Sequence, residues 1–240
     1  MSTPVINLCI DVASGYSGFC AYILRRYKER WCVRLIIRPV LLGAVMKATD
    51  NVMPSLVPAR GKWLAKDLLL NAKFMEVPFK GTPSTFGTSE FNSMFCQRVL
   101  TGIALEKGYE SEELARSFLA IWDAIWCTGR RHYIDLNDAS FILQCLVNAG
   151  LSKEESQRFL QKANDGNVKK SLQKTTDIAV EKGAFGAPSM FVYLQAADVE
   201  KQWQEETPDH FIFGSDRLEQ LAFALNKKWE GPAPKPLSKL

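Results

Sequence analysis

Val5-Ile6-Asn7-Leu8-Cys9-Ile10-Asp11-Val12, running on into Ala13-Ser14-Gly15-Tyr16-Ser17, is the stretch whose reading decides the fold. An apolar run breaks at a small polar turn. An amphipathic helix follows, with Phe19, Ile23 and Tyr27 at helical spacing and Arg25, Arg26 and Lys28 on the other side. This is a strand feeding a helix N-terminus. The first turn of a helix leaves backbone N–H groups without partners and carries partial positive charge, so it attracts an anion. Ser14 stands where the turn becomes helix, a position at which a serine oxygen caps the first backbone N–H groups. The helix is expected to end near Glu29-Arg30, and Trp31 to Arg38 reads as the next strand, with Val33, Leu35 and Ile37 alternating against Arg34 and Arg38 before Pro39. Strand, helix and strand in so short a span make a βαβ unit with parallel strands.

Beyond Pro39 the pattern changes. Val40 to Gly61 is expected to be irregular, punctuated by Pro54 and Pro58. From Lys62 to Gly183 nearly everything reads as helix. Segments are predicted over Lys62 to Phe74 and Thr88 to Lys107, and from Ser111 along an apolar face of Leu114, Phe118, Ile121, Trp122 and Ile125. Asn137 is read as the cap of a segment reaching Asn148, Ser152-Lys153-Glu154-Glu155 is a capping box, and Val168 to Lys182 ends at Gly183. Trp122 and Trp126 are read as core packing.

β-type sequence returns after Ala187-Pro188, in Ser189 to Leu194 and again in His210 to Phe213. The polar stretch Gln195 to Asp209 between them is read as a long hairpin tip. Gly214-Ser215-Asp216-Arg217-Leu218 opens a last helix carrying Leu221, Leu225 and Trp229. Two short strands cannot stand alone, so they must complete the sheet begun at Val5. The class is therefore α/β: a thioredoxin-like βαβ…ββα domain, 1–60 and 184–240, with a large all-helical domain, 61–183, inserted into it.

Composition narrows the chemistry. The chain has 240 residues, 30 basic and 26 acidic side chains, and a formal net charge of +4. No basic run interleaves with aromatics, which argues against nucleic acid. No stretch approaches the roughly 20 apolar residues of a membrane span, and no signal peptide or presequence is visible at the start. The six cysteines include no C-x-x-C and read as free thiols of a reducing compartment, neither a disulfide framework nor a zinc site. Only His132 and His210 are present, so a His-rich metal centre is excluded, and a histidine base is not expected.

Three pieces then coincide in order: Ser14-Gly15-Tyr16-Ser17 at a helix start, Gly183-Ala184-Phe185-Gly186-Ala187-Pro188 before a strand, and Phe213-Gly214-Ser215-Asp216-Arg217 at the last helix. With the helical insert, Gly43-x-x-Met46-Lys47 and Lys227-Lys228-Trp229-x-Gly231-Pro232, the chain resembles the kappa-class glutathione transferases. That class is related to the bacterial disulfide oxidoreductases and the 2-hydroxychromene-2-carboxylate isomerases. The resemblance covers nearly the whole chain and implies a cis-proline at Pro188. It makes Ser14 the catalytic serine facing the glutathione sulfur, with Gly15 and Tyr16 offering backbone N–H groups. It matches Asn51 to a glutathione-holding asparagine and Arg60 to a basic residue near the glycyl carboxylate. It puts Ala187 against the cysteinyl backbone, and Ser215 and Asp216 at the γ-glutamyl end. Where the family usually has proline, this chain has Gly15, which is expected to loosen the turn. Gly18 replaces a common tryptophan, which is expected to widen the mouth of the site.

Serine at position 14 rules out thiol–disulfide exchange there, because a hydroxyl cannot form a mixed disulfide. The resemblance implies a glutathione transferase with glutathione as co-substrate and no metal, conjugating small hydrophobic electrophiles, with glutathione peroxidase activity in addition. The alternatives are a glutathione-dependent isomerase of the 2-hydroxychromene-2-carboxylate type and a non-catalytic thioredoxin-fold binding protein in which Ser14 is only a cap. A homodimer is implied as well. Ser238-Lys239-Leu240 reads as a peroxisomal import signal for the import receptor, with the mitochondrion as the alternative that the resemblance allows.

Overall fold

Cys9 pairs with Ser189 and Ser189 with Phe213, and this register gathers three distant segments at one end of a sheet. The computed structural model describes residues 3–129, 133–195 and 198–235. The strands are β1 (Val5–Ile10), β2 (Arg34–Pro39), β3 (Ser189–Tyr193) and β4 (His210–Phe213), in the order β2-β1-β3-β4. β1 and β2 are parallel, with Val5 opposite Arg34, whereas β3 runs antiparallel to both β1 and β4. β1 is buried along its whole length because both sheet faces are covered, which explains its unbroken apolar sequence.

The helices are α1 (Gly15–Trp31), α2 (Leu42–Ala48), α3 (Pro58–Phe74), α4 (Met94–Lys107), α5 (Glu112–Trp126), α6 (Ala139–Asn148), α7 (Lys153–Lys162), α8 (Gly166–Glu181), α9 (Val199–Glu205) and α10 (Leu218–Ala224). One continuous core joins Ile6, Leu8 and Ile10 of the sheet to Phe19 and Ile23 of α1 and to Leu68, Trp122, Trp126 and Phe159 of the helices between β2 and β3. The other face of the sheet packs Val5, Cys9, Ile36 and Phe191 against Val45, Ile178 and Trp203. Arg38 lies on that side, buried between the rings of Tyr109 and Trp203, with Nε donating to Asn7 and Nη1 to Glu200, both at 2.9 Å.

The elements follow the sequence reading with local shifts. α1 runs on to Trp31 and is closed by Cys32 in the left-handed region (φ 49°), so β2 starts only at Arg34. The stretch expected to be irregular holds α2, and Pro58 occupies the first turn of α3, where a missing N–H costs nothing. α4 starts at Met94 and not at Thr88, because Thr88, Glu90 and Asn92 turn their polar groups back on the preceding loop. Asp138, one residue after the expected Asn137, caps α6. The Ser152/Glu155 capping box forms as read. The expected hairpin tip contains α9, started by Asp198 accepting from the N–H groups of Glu200 and Lys201. Trp229 lies beyond α10 and stacks on Tyr27, with centroids 5.0 Å apart.

Candidate active site at the N-terminus of the first helix

Ser14 is the N-cap of α1, and its Oγ accepts from the N–H of Ser17 at 3.2 Å. The same hydroxyl donates to the carbonyl of Ala187 at 2.9 Å. Ala187-Pro188 is a cis peptide, reached because β3 starts immediately after it, next to β1. The serine is thus both a helix cap and a hydroxyl donor to the residue before the cis-proline. Gly15 and Tyr16 form the first turn of α1 behind it.

The turn is held from behind by residues the sequence reading did not single out for this. The indole N–H of Trp122 donates to the carbonyl of Ser14 at 3.0 Å, and that of Trp126 to the carbonyl of Val12 at 2.9 Å. Both rings are fully buried, as read, but they also satisfy backbone acceptors. Asp11 is buried beneath the turn and accepts from Ala13 N (2.9 Å), Leu42 N (2.8 Å) and Ser93 Oγ (2.9 Å). Burial pushes its carboxyl above the ordinary value of 3.8, and these three hydrogen bonds oppose the rise. Gln97 ties the ends of β1 and β2 by donating to Ile10 O (2.8 Å) and Val40 O (2.7 Å).

Neither glycine departure opens the site. Gly18 is buried flat against Trp122: a Cβ there would lie 2.0 Å from Cε2 of the indole. The space is filled from α5, which corrects the expectation of a wider mouth. At Gly15 a Cβ would lie 2.9 Å from Cδ2 of Leu68, so the missing side chain is what lets α3 approach. The turn at Gly15 is packed, not loosened.

The rim comes from three segments. Tyr16 O–H donates to Oδ2 of Asp67 on α3 at 2.5 Å. Asn51 Nδ2 donates to Phe185 O at 2.7 Å, tying the loop after α2 to the segment before the cis-proline. Gly214 N donates to Pro188 O at 3.0 Å, which brings Ser215 and Asp216 alongside. Ser215 is buried, and its Oγ has no hydrogen-bond partner among the described residues. A buried hydroxyl with no partner needs one, so it fits a bound polar ligand. Asp216 is exposed and pairs with Arg217; it does not cap α10, whose cap residue is Arg217. Arg60 sits exposed on the first turn of α3, and no ion pair or hydrogen bond links it to the other candidates among the described residues.

Ser14, Gly15, Tyr16, Ala187, Pro188, Ser215 and Asp216 therefore meet at one end of the sheet, with Asn51 joined through Phe185. Arg60 stays apart. Sequence reasoning missed Asp11, Ser93, Gln97 and Asp67; a carboxylate inside the apolar run Ile10-Asp11-Val12 was the one visible signal. His210 lies on β4, and His132 falls outside the described residues. No cluster of three metal-binding side chains occurs among the described residues.

Residues 5–226 match the family model of the DsbA-like thioredoxin domain. The chain is 34% identical to human glutathione S-transferase kappa 1 over 230 residues, 95% of this chain and 94% of that protein. It is 31% identical to glutathione S-transferase kappa 1 of Rattus norvegicus over 235 residues, 98% of this chain and 96% of the relative. Among solved structures, 2-hydroxychromene-2-carboxylate isomerase superposes with a TM-score of 0.69 at 18% identity, covering 92% of this chain and 94% of that one. Fold and full-length similarity agree: the chain belongs to the kappa-class glutathione transferases of the DsbA-like thioredoxin family and is an enzyme of that class.

Proposed function

We propose that the chain binds glutathione with its sulfur at the N-terminus of α1 and that Ser14 holds the thiolate by turning its hydroxyl proton from Ala187 O to the sulfur. The observation that carries this reading is the single Ser14 hydroxyl that caps α1 and donates to the residue before the cis-proline. A free thiol has a pKa of about 8.5, so a few per cent is ionised at neutral pH. Each unit of depression needs ~1.4 kcal/mol of preferential stabilisation of the anion. A helix N-terminus supplies ~0.3–2 kcal/mol, and a hydroxyl bond to a charged acceptor ~1.5–3 kcal/mol. Together they lower the pKa by about 1.3–3.6 units, which raises the ionised fraction at neutral pH from a few per cent to roughly a third or more without a histidine base.

Ala187 then meets the cysteinyl backbone, Asn51 and Arg60 serve the glycyl end, and Ser215 and Asp216 the γ-glutamyl end. The held thiolate attacks an electrophilic carbon of a small hydrophobic substrate, a C–S bond forms, and the leaving group departs with its electron pair. Hydroperoxides are the second substrate class: the thiolate takes the terminal oxygen as the O–O bond breaks and the alkoxide leaves to become the alcohol, and a second glutathione converts the resulting sulfenic acid to the disulfide with loss of water. The chain is proposed to work as a homodimer. Its Ser238-Lys239-Leu240 end, outside the described residues, is proposed to address it to the peroxisome through the import receptor.

An ultraviolet difference titration of bound glutathione tests the thiolate reading. Wild-type protein should ionise the thiol at least one pH unit below its free value, and Ser14→Ala should return it toward that value. Ionisation near the free pKa, or no change in Ser14→Ala, overturns it. Turnover with an aryl halide, a hydroperoxide and a chromene carboxylate separates transferase, peroxidase and isomerase chemistry. Cellular distribution of a fluorescent fusion with and without the last three residues tests the address.

A further inference from the structure

Tyr16 stands two residues after Ser14, half-buried, with its ring edge-on to Phe19 at 6.1 Å. Its hydroxyl donates to Asp67 Oδ2 at 2.5 Å. A phenol carries one proton. With that proton committed to Asp67, Tyr16 has none to give to a sulfur, and its oxygen can only accept. Burial first, then the hydrogen bond and charge of Asp67, and then the charge of Asp216 raise the phenol far above its ordinary value, so it keeps its proton.

Asp67 takes the phenol proton, and the negative charge of Asp216 adds to that of Asp67 around it. No cation pairs with Asp67 among the described residues, and Asp216 pairs only with its exposed neighbour Arg217 at 3.2 Å. Beside Asp216 lies Ser215, whose buried Oγ has no partner among the described residues. Acceptors and negative charge of this kind repel an anion and suit an ammonium group. On the same helix, two residues earlier, Ser14 offers the opposite character, a proton and the positive end of the helix.

We propose that Asp67 is a positioning residue that, by taking the Tyr16 proton, turns the phenol oxygen into an acceptor which, with Asp216, receives the ammonium group of the γ-glutamyl end. This rests on the glutathione reading above. It divides the labour of the first turn of α1: Ser14 serves the sulfur, and Tyr16 serves the ammonium and takes no part in thiol ionisation.

The test compares binding of glutathione with that of its desamino analogue, in which the γ-glutamyl ammonium is replaced by hydrogen. Titration calorimetry would be run on the full chain as wild type, Asp67→Ala, Asp67→Glu and Tyr16→Phe. Wild type should prefer glutathione by roughly tenfold or more, the value of one charged hydrogen bond. Asp67→Ala and Tyr16→Phe should each reduce that preference several-fold, and Asp67→Glu should restore part of it. The bound thiol should ionise at the wild-type pH in all three variants. KM for glutathione should rise in Asp67→Ala while kcat stays within about twofold. A preference unchanged in both Asp67→Ala and Tyr16→Phe overturns the assignment, as does a thiol pKa in Tyr16→Phe raised as far as in Ser14→Ala. Tyr16→Phe keeps the ring in the core and so covers a misfolded Asp67→Ala. If neither peptide binds the wild type at millimolar concentration, the glutathione reading fails, and this assignment fails with it. If both bind without discrimination, only this assignment fails.

Discussion

The indole of Trp122 lies against Gly18 and its N–H holds the carbonyl of Ser14 at 3.0 Å, so one side chain of α5 both fills the hollow in α1 and fixes the turn that carries the candidate hydroxyl. Trp122→Phe removes the indole bond and leaves the Ser14 carbonyl with the Ser17 N–H as its partner, at a cost of about 0.5–1.5 kcal/mol. Gly18→Ala forces a methyl into the ring and should cost about 1–3 kcal/mol by overpacking. The two sites touch, so their effects should not add: the double variant with a smaller residue at 122, Gly18→Ala with Trp122→Leu, should be more stable than the sum of the singles implies. Urea unfolding of wild type, Gly18→Ala, Trp122→Leu and the double variant measures this, and Trp122→Phe is measured beside them.

Asp11 gives stability a distinct pH dependence. Its folded carboxyl is raised above 3.8 chiefly by burial, so between the unfolded and folded values the native state binds more protons than the unfolded chain. Its contribution is therefore largest below the unfolded value and falls as pH rises through the folded one. Asp11→Asn should remove that part of the slope. It should also lose about 1–3 kcal/mol at neutral pH, because an amide has one oxygen: if that serves Leu42 N and Ser93 Oγ, its NH2 faces the N–H of Ala13, which loses its acceptor. Denaturant midpoints measured from pH 4 upward on both proteins check the sign.

Tyr27 anchors the segment that follows α10. Its hydroxyl donates to Gly231 O at 2.6 Å and accepts from Glu230 N at 2.9 Å, while its ring stacks on Trp229. Trp31 adds a bond from its Nε1 to Lys228 O at 2.9 Å. Trp229→Ala should lower stability by about 2–4 kcal/mol, near the range for losing a large packed aromatic. Hydrogen exchange at residues 228–232 should accelerate, while the ionisation of bound glutathione stays as in wild type, because this contact lies near the C-terminal end of α1 and Ser14 at its N-terminus.

Thiol reactivity should be confined to one residue. Cys32 is exposed at the end of α1, whereas Cys9, Cys20, Cys96 and Cys145 are buried and Cys127 is half-buried. Burial pushes Cys9, Cys127 and Cys145 up to about 12, and Cys20 and Cys96 upward as well. The thiolate is the reactive form, so brief iodoacetamide treatment near neutral pH should label Cys32 alone in the native protein and all six cysteines after unfolding. Peptide mass spectrometry after digestion reads the result.

Local signals made much of this protein legible from the chain. The apolar run of β1, the polar turn, the 3.6-residue spacing of Phe19, Ile23 and Tyr27, and the Ser152 capping box are each decided by neighbours within a few residues. The order of the segments then required the C-terminal strands to join β1, and they do. What failed was also local: α2 and α9 are seven residues each, too short for periodicity to outweigh the prolines and polar residues around them.

By itself, the sequence determined the strand-turn-helix with Ser14 at its cap, the scarcity of histidine, and the Ala187-Pro188 and Ser215-Asp216 pieces. Tertiary structure alone decided which polar atoms meet. Ser14 and Ala187 are 173 residues apart, Trp122 and Ser14 108, Ser93 and Asp11 82, and Tyr16 and Asp67 51. Periodicity and capping act over a few residues and assign elements. A hydrogen bond across such separations exists only after helices and sheet have packed, when burial leaves each polar group to find the partner that packing has brought within reach. That is how Gly18, read as an opening, became the seat of an indole, and how Tyr16, read for its backbone, acquired a carboxylate partner that sets its chemistry.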